Sequence, residues 1–207
     1  MKNKFRDKYF IELKNTEFEK KIKEFFYHYE KKDIYDHVVE VVDKARILSG
    51  YFDINGKKSV TAAYLHDIGR VIEKNEIIDF CECFGEKVLE KETKHPDILH
   101  QKASKILAKN LFKIKDKKIL SAISTHTTMK PKASDIDIVV FLSDKLTWKE
   151  EDSKDLIKKM KENLKISKEK AVLIFLENLY NNRENFACYH DLSKEAYFYF
   201  KNIENKK

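Results

Sequence analysis

Tyr64-Leu65-His66-Asp67-Ile68-Gly69 closes an apolar, alanine-containing run that begins at Val60. The run reads as a helix, and its small residues, Ala62 and Ala63, let a second helix come close. His66 and Asp67 sit side by side at its end, and Gly69 is placed to end the element and let the chain turn away. A lone His-Asp pair says little. Working outward, more such residues fall on separate elements: His37 upstream, and His100, His126 and Asp144 downstream. The flanking segments are also read as helices, so the expected fold class is all-α, a single-domain helical bundle.

Composition supports that reading. The 207 residues suffice for one large domain with a sizeable core. Gly (4) and Pro (2) are too scarce for a structure dominated by tight turns. No apolar run reaches the length of a membrane span, so no membrane association is expected. The charged start, Met1 to Lys8, is not followed by a signal-peptide core, and the expected location is cytoplasmic. Cys81, Cys83 and Cys188 are odd in number, lack a zinc-finger pattern and read as reduced. The net charge of +7 comes from lysines spread over nearly every segment and mixed with acids. That pattern describes solvated helix faces better than a nucleic-acid surface, so no nucleic acid is expected. It is compatible with a polyphosphate ligand.

Along the chain, residues 1–15 give no start signal, and Thr16-Glu17-Phe18-Glu19 has the form of a capping box opening a helix to about Lys31. Asp33 is the expected cap of the next helix, which carries His37 in its first turn and ends at Gly50. Asn55-Gly56 reads as a turn, and Asn75 as the cap of a short helix stopped by Gly85. Pro96 marks a helix start before His100. Asp116 caps a helix that ends at His126, and Ser134 with Asp137 opens the strongly apolar helix around Asp144. Two further helices are expected after Ser167 and Asp191. The divisions are residues 1–32 as a helical extension, 33–148 as the core bearing the histidines, and 149–207 as C-terminal helices packing on the same domain.

Imidazole and carboxylate are the usual ligands of iron, manganese, zinc and related cations. The helices bearing His37, His66-Asp67 and Asp144 can aim four donors at one ion. His100 and His126 offer donors for a second, and Asp67 has two oxygens with which to bridge both. Asp144 is the telling residue, because an unpaired carboxylate among Val139, Val140 and Leu142 is costly to bury. A cation would satisfy it, and so would pairing with Lys145. His37 taken alone reads more readily as a core histidine bonded to a carbonyl.

His37, Leu65-His66-Asp67-Ile68-Gly69, His100, His126 and Asp144 together resemble the bacterial HD-domain phosphohydrolases. Three runs are similar to the branch of symmetrical diadenosine-tetraphosphate hydrolases: Ile98 to Ser104, Ala122 to Thr128, and Val140 to Lys145. The resemblance implies an all-helical HD-domain fold and two divalent or mixed-valent metal ions, with iron first and Mn, Mg, Zn or Ni as alternatives. It places one ion on His37, His66, Asp67 and Asp144, and the other on Asp67, His100 and His126. It makes Asp67 the catalytic residue and an activated water the nucleophile on a nucleoside polyphosphate, splitting diadenosine tetraphosphate to two ADP.

Arg70, Thr127, Thr128, Lys130 and Lys145 are the candidate substrate contacts, each also readable as an ordinary surface cation or helix-end hydroxyl. Trp148 or Tyr64 would stack a base, against core packing as the alternative. The chain departs from that branch at Met129-Lys130, where glycine usually follows the threonines, and at Leu146-Thr147-Trp148-Lys149, where an Ile-Glu-Pro-x-Arg-like run is usual. Other readings stay open: a phosphatase on a nucleoside mono- or diphosphate, a non-hydrolysing nucleotide-binding module, or a basic RNA-associated protein. The nucleotide is the expected partner, and a homodimer is admitted.

Overall fold

Apolar spacing becomes helix throughout. The computed structural model describes residues 1–185 and 188–206, and these form twelve α-helices joined by loops and short 3-10 turns, with no strand among them. Five helices frame the histidines: α3 (Lys32–Tyr51), α4 (Gly56–Leu65), α7 (His100–Asn110), α8 (Lys117–Thr125) and α9 (Asp135–Lys145). α3 packs on α4 and α9, α4 on α8, and α7 on α8. α9 lies at the centre, and every residue from Ile136 to Lys145 is buried. A helix apolar on all sides must be surrounded by others, so each of its charged residues needs a partner.

Several ends form as their sequences dictate. Asp116 accepts hydrogen bonds from the Lys118 and Ile119 amides, and Ser134 with Asp137 closes a capping box on α9. Ser167 caps α11 (Lys168–Asn181), and Asn55 caps α4 through the Lys58 amide. Other ends differ from expectation. α2 (Phe18–His28) has no side-chain cap; instead the Glu24 carboxylate accepts from the Lys14 and Asn15 amides and fixes the entering chain. α3 starts one residue before Asp33, which makes no cap bond, and runs through Gly50 to Tyr51. Asn75 does not cap α5 (Ile77–Cys83), whose first flanking residue is Glu76.

The unreadable N-terminus is helical, α1 (Lys2–Tyr9), because it has a tertiary partner. Phe5 and Tyr9 are buried against Phe80, and the Tyr9 hydroxyl donates to Glu76 at 2.6 Å. At the other end, α11 packs against α9, α10 (Lys154–Leu164) and α12 (Asp191–Glu204). Among the described residues no helix is long and apolar enough to cross a membrane.

Gly69 has a different role from the one its sequence suggests. It lies in a 3-10 turn, Ile68–Val71, pressed on the start of α7. A Cβ there would stand 2.3 Å from the His100 carbonyl oxygen and 2.5 Å from the Ser104 amide nitrogen. The Gly69 amide donates to Ser104 Oγ at 2.8 Å. Only a residue without a side chain lets the segment carrying Asp67 approach the segment carrying His100 this closely.

Candidate metal centre

His66, His100 and His126 each sit immediately after a helical segment: α4, the 3-10 turn Pro96–Leu99, and α8. Such ends leave carbonyl oxygens without intrahelical partners. Each ring turns Nδ1 onto the carbonyl three residues back: His66 to Ala63 at 2.6 Å, His100 to Asp97 at 2.5 Å, and His126 to Ile123 at 2.8 Å. A carbonyl only accepts, so Nδ1 carries the hydrogen in all three rings. When the ring is neutral, Nε2 is left with its lone pair, the form in which imidazole binds a cation. The same local device thus prepares three histidines from three separate elements.

The Nε2 atoms of these three rings converge on Asp67. His100 and His126 each place Nε2 3.4 Å from Asp67 Oδ1. His66 Nε2 lies 3.6 Å from Asp67 Oδ2. His37 comes from α3 and places Nε2 3.1 Å from Asp144 Oδ1, which is 3.9 Å from His66 Nε2. Two sets of donors lie within 4.8 Å of one another, His37 with His66 and Asp67, and Asp67 with His100 and His126. Asp67 belongs to both. Asp144 borders the first set, with Oδ1 toward the two histidines and Oδ2 bonded to Lys145 Nζ at 2.8 Å.

These residues fit cations. His66 Nε2 and Asp67 Oδ1 are buried with no hydrogen-bond partner among the described residues, a rare state for buried polar atoms. His100 Nε2 and His126 Nε2 lie 3.0 Å apart, although both Nδ1 hydrogens are committed elsewhere. Two lone pairs repel at that distance unless something positive stands between them. Donors at about 2.0–2.2 Å from one ion are spaced roughly 3.0–3.4 Å from each other, the spacing seen in the Asp67, His100 and His126 set.

Electrostatics favours the ligating protonation states of His66, His100, Asp67 and Asp144. Burial lowers the His66 pKa to about 4 and that of His100 to about 3, so both rings are neutral near pH 7. For Asp67, burial opposes ionisation, but the surrounding imidazoles and the Arg70 guanidinium prevail and hold the carboxyl well below its ordinary value. Asp144 is likewise held low: burial is outweighed by Lys145 and His37. Burial lowers the His37 pKa, but the hydrogen bond to Asp144 outweighs it and the net shift is upward.

A cavity of about 730 Å³ opens on this cluster, lined by His37, Asp67, Arg70, Thr127, Asp144 and Lys145 among others. Arg70 donates Nε–H to Asp67 Oδ2 at 2.6 Å and remains partly exposed, while Thr127 Oγ1 is 3.1 Å from His100 Nε2. The other candidate contacts stand differently. Lys145 is 3% exposed, bound to Asp144 and enclosed by the Phe141, Trp148 and Phe175 rings, with Nζ 4.6 Å from the Trp148 centroid. Thr128 is buried, facing Gln101. Lys130 does not line the cavity; it is drawn to Ser121 and the buried Asp137, whose charge inside the fold requires a cation.

Met129, one of the departures, adopts a left-handed φ of 61° with its side chain fully buried. That conformation favours glycine, and here the buried methionine offsets the strain.

One polar cluster escaped the sequence reading. Glu92 is fully buried, bound by Lys102 Nζ at 2.6 Å and by His190 Nε2 at 3.3 Å. It ties α6 (Glu90–Lys94) and α7 to the start of α12. No local spacing signals this, because 98 residues separate Glu92 from His190.

The HD domain family model matches residues 34–149, the segment that holds every donor described above. The chain belongs to the HD domain family. It is 36% identical over 129 residues to an uncharacterized protein in the pepC 5' region of Lactococcus lactis subsp. cremoris, covering 62% of this chain and 66% of that one. It is 27% identical over 157 residues to a probable nicotinate-nucleotide adenylyltransferase/Ap4A hydrolase of Mycoplasma genitalium, covering 71% and 42%. It is 27% identical over 112 residues to a symmetrical bis(5'-nucleosyl)-tetraphosphatase of Halalkalibacterium halodurans, covering 53% and 58%. The matches thus span about two thirds or less of these curated relatives. The fold is shared with a Clostridium acetobutylicum protein described as a predicted HD superfamily hydrolase involved in NAD metabolism, at a TM-score of 0.80, 23% identity, and coverage of 88% of this chain and 96% of that one. As an HD-domain protein the chain carries the His/Asp metal-binding cluster of its family.

Proposed function

We propose that this HD-domain protein is a metal-dependent phosphohydrolase acting on a nucleoside polyphosphate, with diadenosine tetraphosphate, split to two ADP, as its substrate. The observation that carries the reading is the position of Asp67 between two donor sets, in which His66, His100 and His126 each give Nδ1–H to a backbone carbonyl and turn Nε2 toward Asp67. His37, His66, Asp67 and Asp144 would hold one cation, and Asp67, His100 and His126 the second. Imidazole and carboxylate suit iron, which we take as the resident metal, ahead of manganese or zinc. Bound there, the cations would bring a water's pKa toward neutrality and offset charge on phosphate oxygens.

The chain's own groups complete the site. Backbone carbonyls hold the three imidazole tautomers, and Lys145 holds Asp144 from behind. Arg70, partly exposed at the cavity, is positioned to bind phosphate oxygens, and Thr127 adds a hydroxyl beside it. The substrate class is supported by the names of the Mycoplasma and Halalkalibacterium relatives. A panel of nucleotides assayed with product chromatography tests the reading. Two ADP from diadenosine tetraphosphate are expected. ATP plus AMP, or no turnover by metal-loaded protein, would overturn it.

A further inference from the structure

A second, smaller cavity of about 140 Å³ adjoins the first, and the two share Thr127, Lys145 and Trp148 in their walls. Trp148, Phe175 and Leu179 give it apolar walls, and the stretch before α12 adds Tyr189 and His190, with Ser193 from α12 itself also in the lining. The polar groups of that stretch are nearly all committed. His190 Nδ1 accepts from the Leu192 amide at 3.1 Å, so its hydrogen lies on Nε2 and is given to Glu92. Ser193 Oγ donates to the Thr128 carbonyl at 2.8 Å. Tyr189 Oη is different: it is buried and has no hydrogen-bond partner among the described residues. Such a hydroxyl is costly to leave unpaired.

We propose that this slot receives the base of the nucleotide and that the Tyr189 hydroxyl reads the base's polar edge. The inference rests on the phosphohydrolase reading and adds where the base goes. The slot shares Thr127, Lys145 and Trp148 with the cavity where the phosphates would lie, so one nucleotide would span the two. Its walls carry aromatic rings: Trp148 and Phe175 meet edge to face at 5.6 Å, and Tyr189 adds a third. Flat heterocycles pack well against such rings, and an apolar pocket with one convergent polar group is the usual form of a small-ligand site. Ring nitrogens or exocyclic groups of a base would satisfy the Tyr189 hydroxyl, whereas the apolar walls of Trp148, Phe175 and Leu179 disfavour a charged phosphate chain in the slot.

Trp148 is the chain's single tryptophan, so its fluorescence reports on the slot directly. Binding of ADP and of inorganic pyrophosphate to the full chain in Mn²⁺ is measured by Trp148 quenching and calorimetry. ADP is expected to bind at least about 10-fold more tightly than pyrophosphate and to quench Trp148. Tyr189→Phe should weaken ADP about 3- to 10-fold without changing pyrophosphate. Leu179→Phe, which fills the slot, should reduce ADP affinity to that of pyrophosphate. If Leu179→Phe does not fold, as judged by circular dichroism, Tyr189→Phe alone decides. ADP binding no tighter than pyrophosphate, or unchanged in the folded variants, would overturn the slot and leave the phosphohydrolase reading standing. Failure of both anions to bind would overturn that reading and the slot with it.

Discussion

His100 and His126 face each other Nε2 to Nε2 at 3.0 Å, while each gives its Nδ1 hydrogen to a backbone carbonyl. Neither ring can turn to relieve the contact without giving up its carbonyl. Asp67 Oδ1 stands 3.4 Å from both nitrogens and has no hydrogen-bond partner of its own among the described residues. The fold therefore holds three electron-rich atoms together before any ligand arrives, and α4, α7 and α8 supply the rigidity to do so.

Removing members of this group should have graded effects on metal content. Wild-type protein is expected to carry two ions per chain by elemental analysis. His126→Ala should lose the ion of its own set and keep the other, and Asp67→Ala should lose both. Circular dichroism should show the helices intact in each. Hydrolysis by Asp67→Ala should fall by about 10³-fold or more, since several kcal/mol of charge stabilisation goes with the ions. Full activity in a metal-free Asp67→Ala protein would contradict the assignment.

Gly69→Ala places a methyl group where the His100 carbonyl and Ser104 amide already stand. Both obstacles are backbone, so the 3-10 turn must move away from α7. Overpacking of this kind costs about 1–3 kcal/mol, occasionally more. A lowered thermal midpoint is expected together with weaker metal retention, because Asp67 and His100 lie on the two sides of that contact. A variant as stable and as well loaded as wild type would show that the approach is not needed.

Much of the centre was legible because it is written in short-range chemistry. Histidines and aspartates in apolar helical runs stand out, and caps such as Asp116 and Ser134 lie next to what they cap. The rest depends on distant partners. α1 forms because Phe5 and Tyr9 find Phe80, some 70 residues on, and nothing in residues 1–15 announces it. Gly69 read as a stop because a sequence does not show how near another helix will come. Met129 read as a departure near the ligand, whereas its position is demanding through a left-handed backbone angle. Thr128 and Lys130 drew notice beside His126, but one faces Gln101 and the other Asp137.

The Glu92 cluster sets a pH response separate from the metal centre. Burial opposes ionisation of Glu92, but hydrogen bonds from His190 and Lys102 outweigh it, lowering its pKa from 4.5 to about 2. Between those values the unfolded chain binds the proton and the folded chain does not. The contribution of Glu92 is therefore fully present above pH 4.5 and is lost as pH falls toward 2. Glu92→Gln should flatten this part of the stability–pH curve, measured by urea unfolding. It should also lower stability at pH 7, because Lys102 and His190 lose their ionised partner. An unchanged acid limb would show that the cluster does not govern it.

Lys145 directly after Asp144 and Lys130 after the His126 loop were alike as candidate contacts in the sequence, and the structure separates them. Lys145 is enclosed by three aromatic rings and is bonded to Asp144 at 2.8 Å. Lys145→Met keeps much of the packing but leaves Asp144 Oδ2 buried without its cation, a change that costs about 3–5 kcal/mol when a buried pair is broken. Metal binding partly offsets that cost, so the thermal midpoint of the variant should rise more steeply with added Mn²⁺ than that of wild type. Lys130→Met breaks a contact with Asp137, which keeps Ser121 and the Ser134 cap as partners. Its stability loss should be smaller, about 1 kcal/mol, with metal content unchanged and substrate KM within about 2-fold of wild type, because Lys130 does not line the cavity. A large rise in KM for Lys130→Met would return that lysine to the phosphate path and contradict the placement.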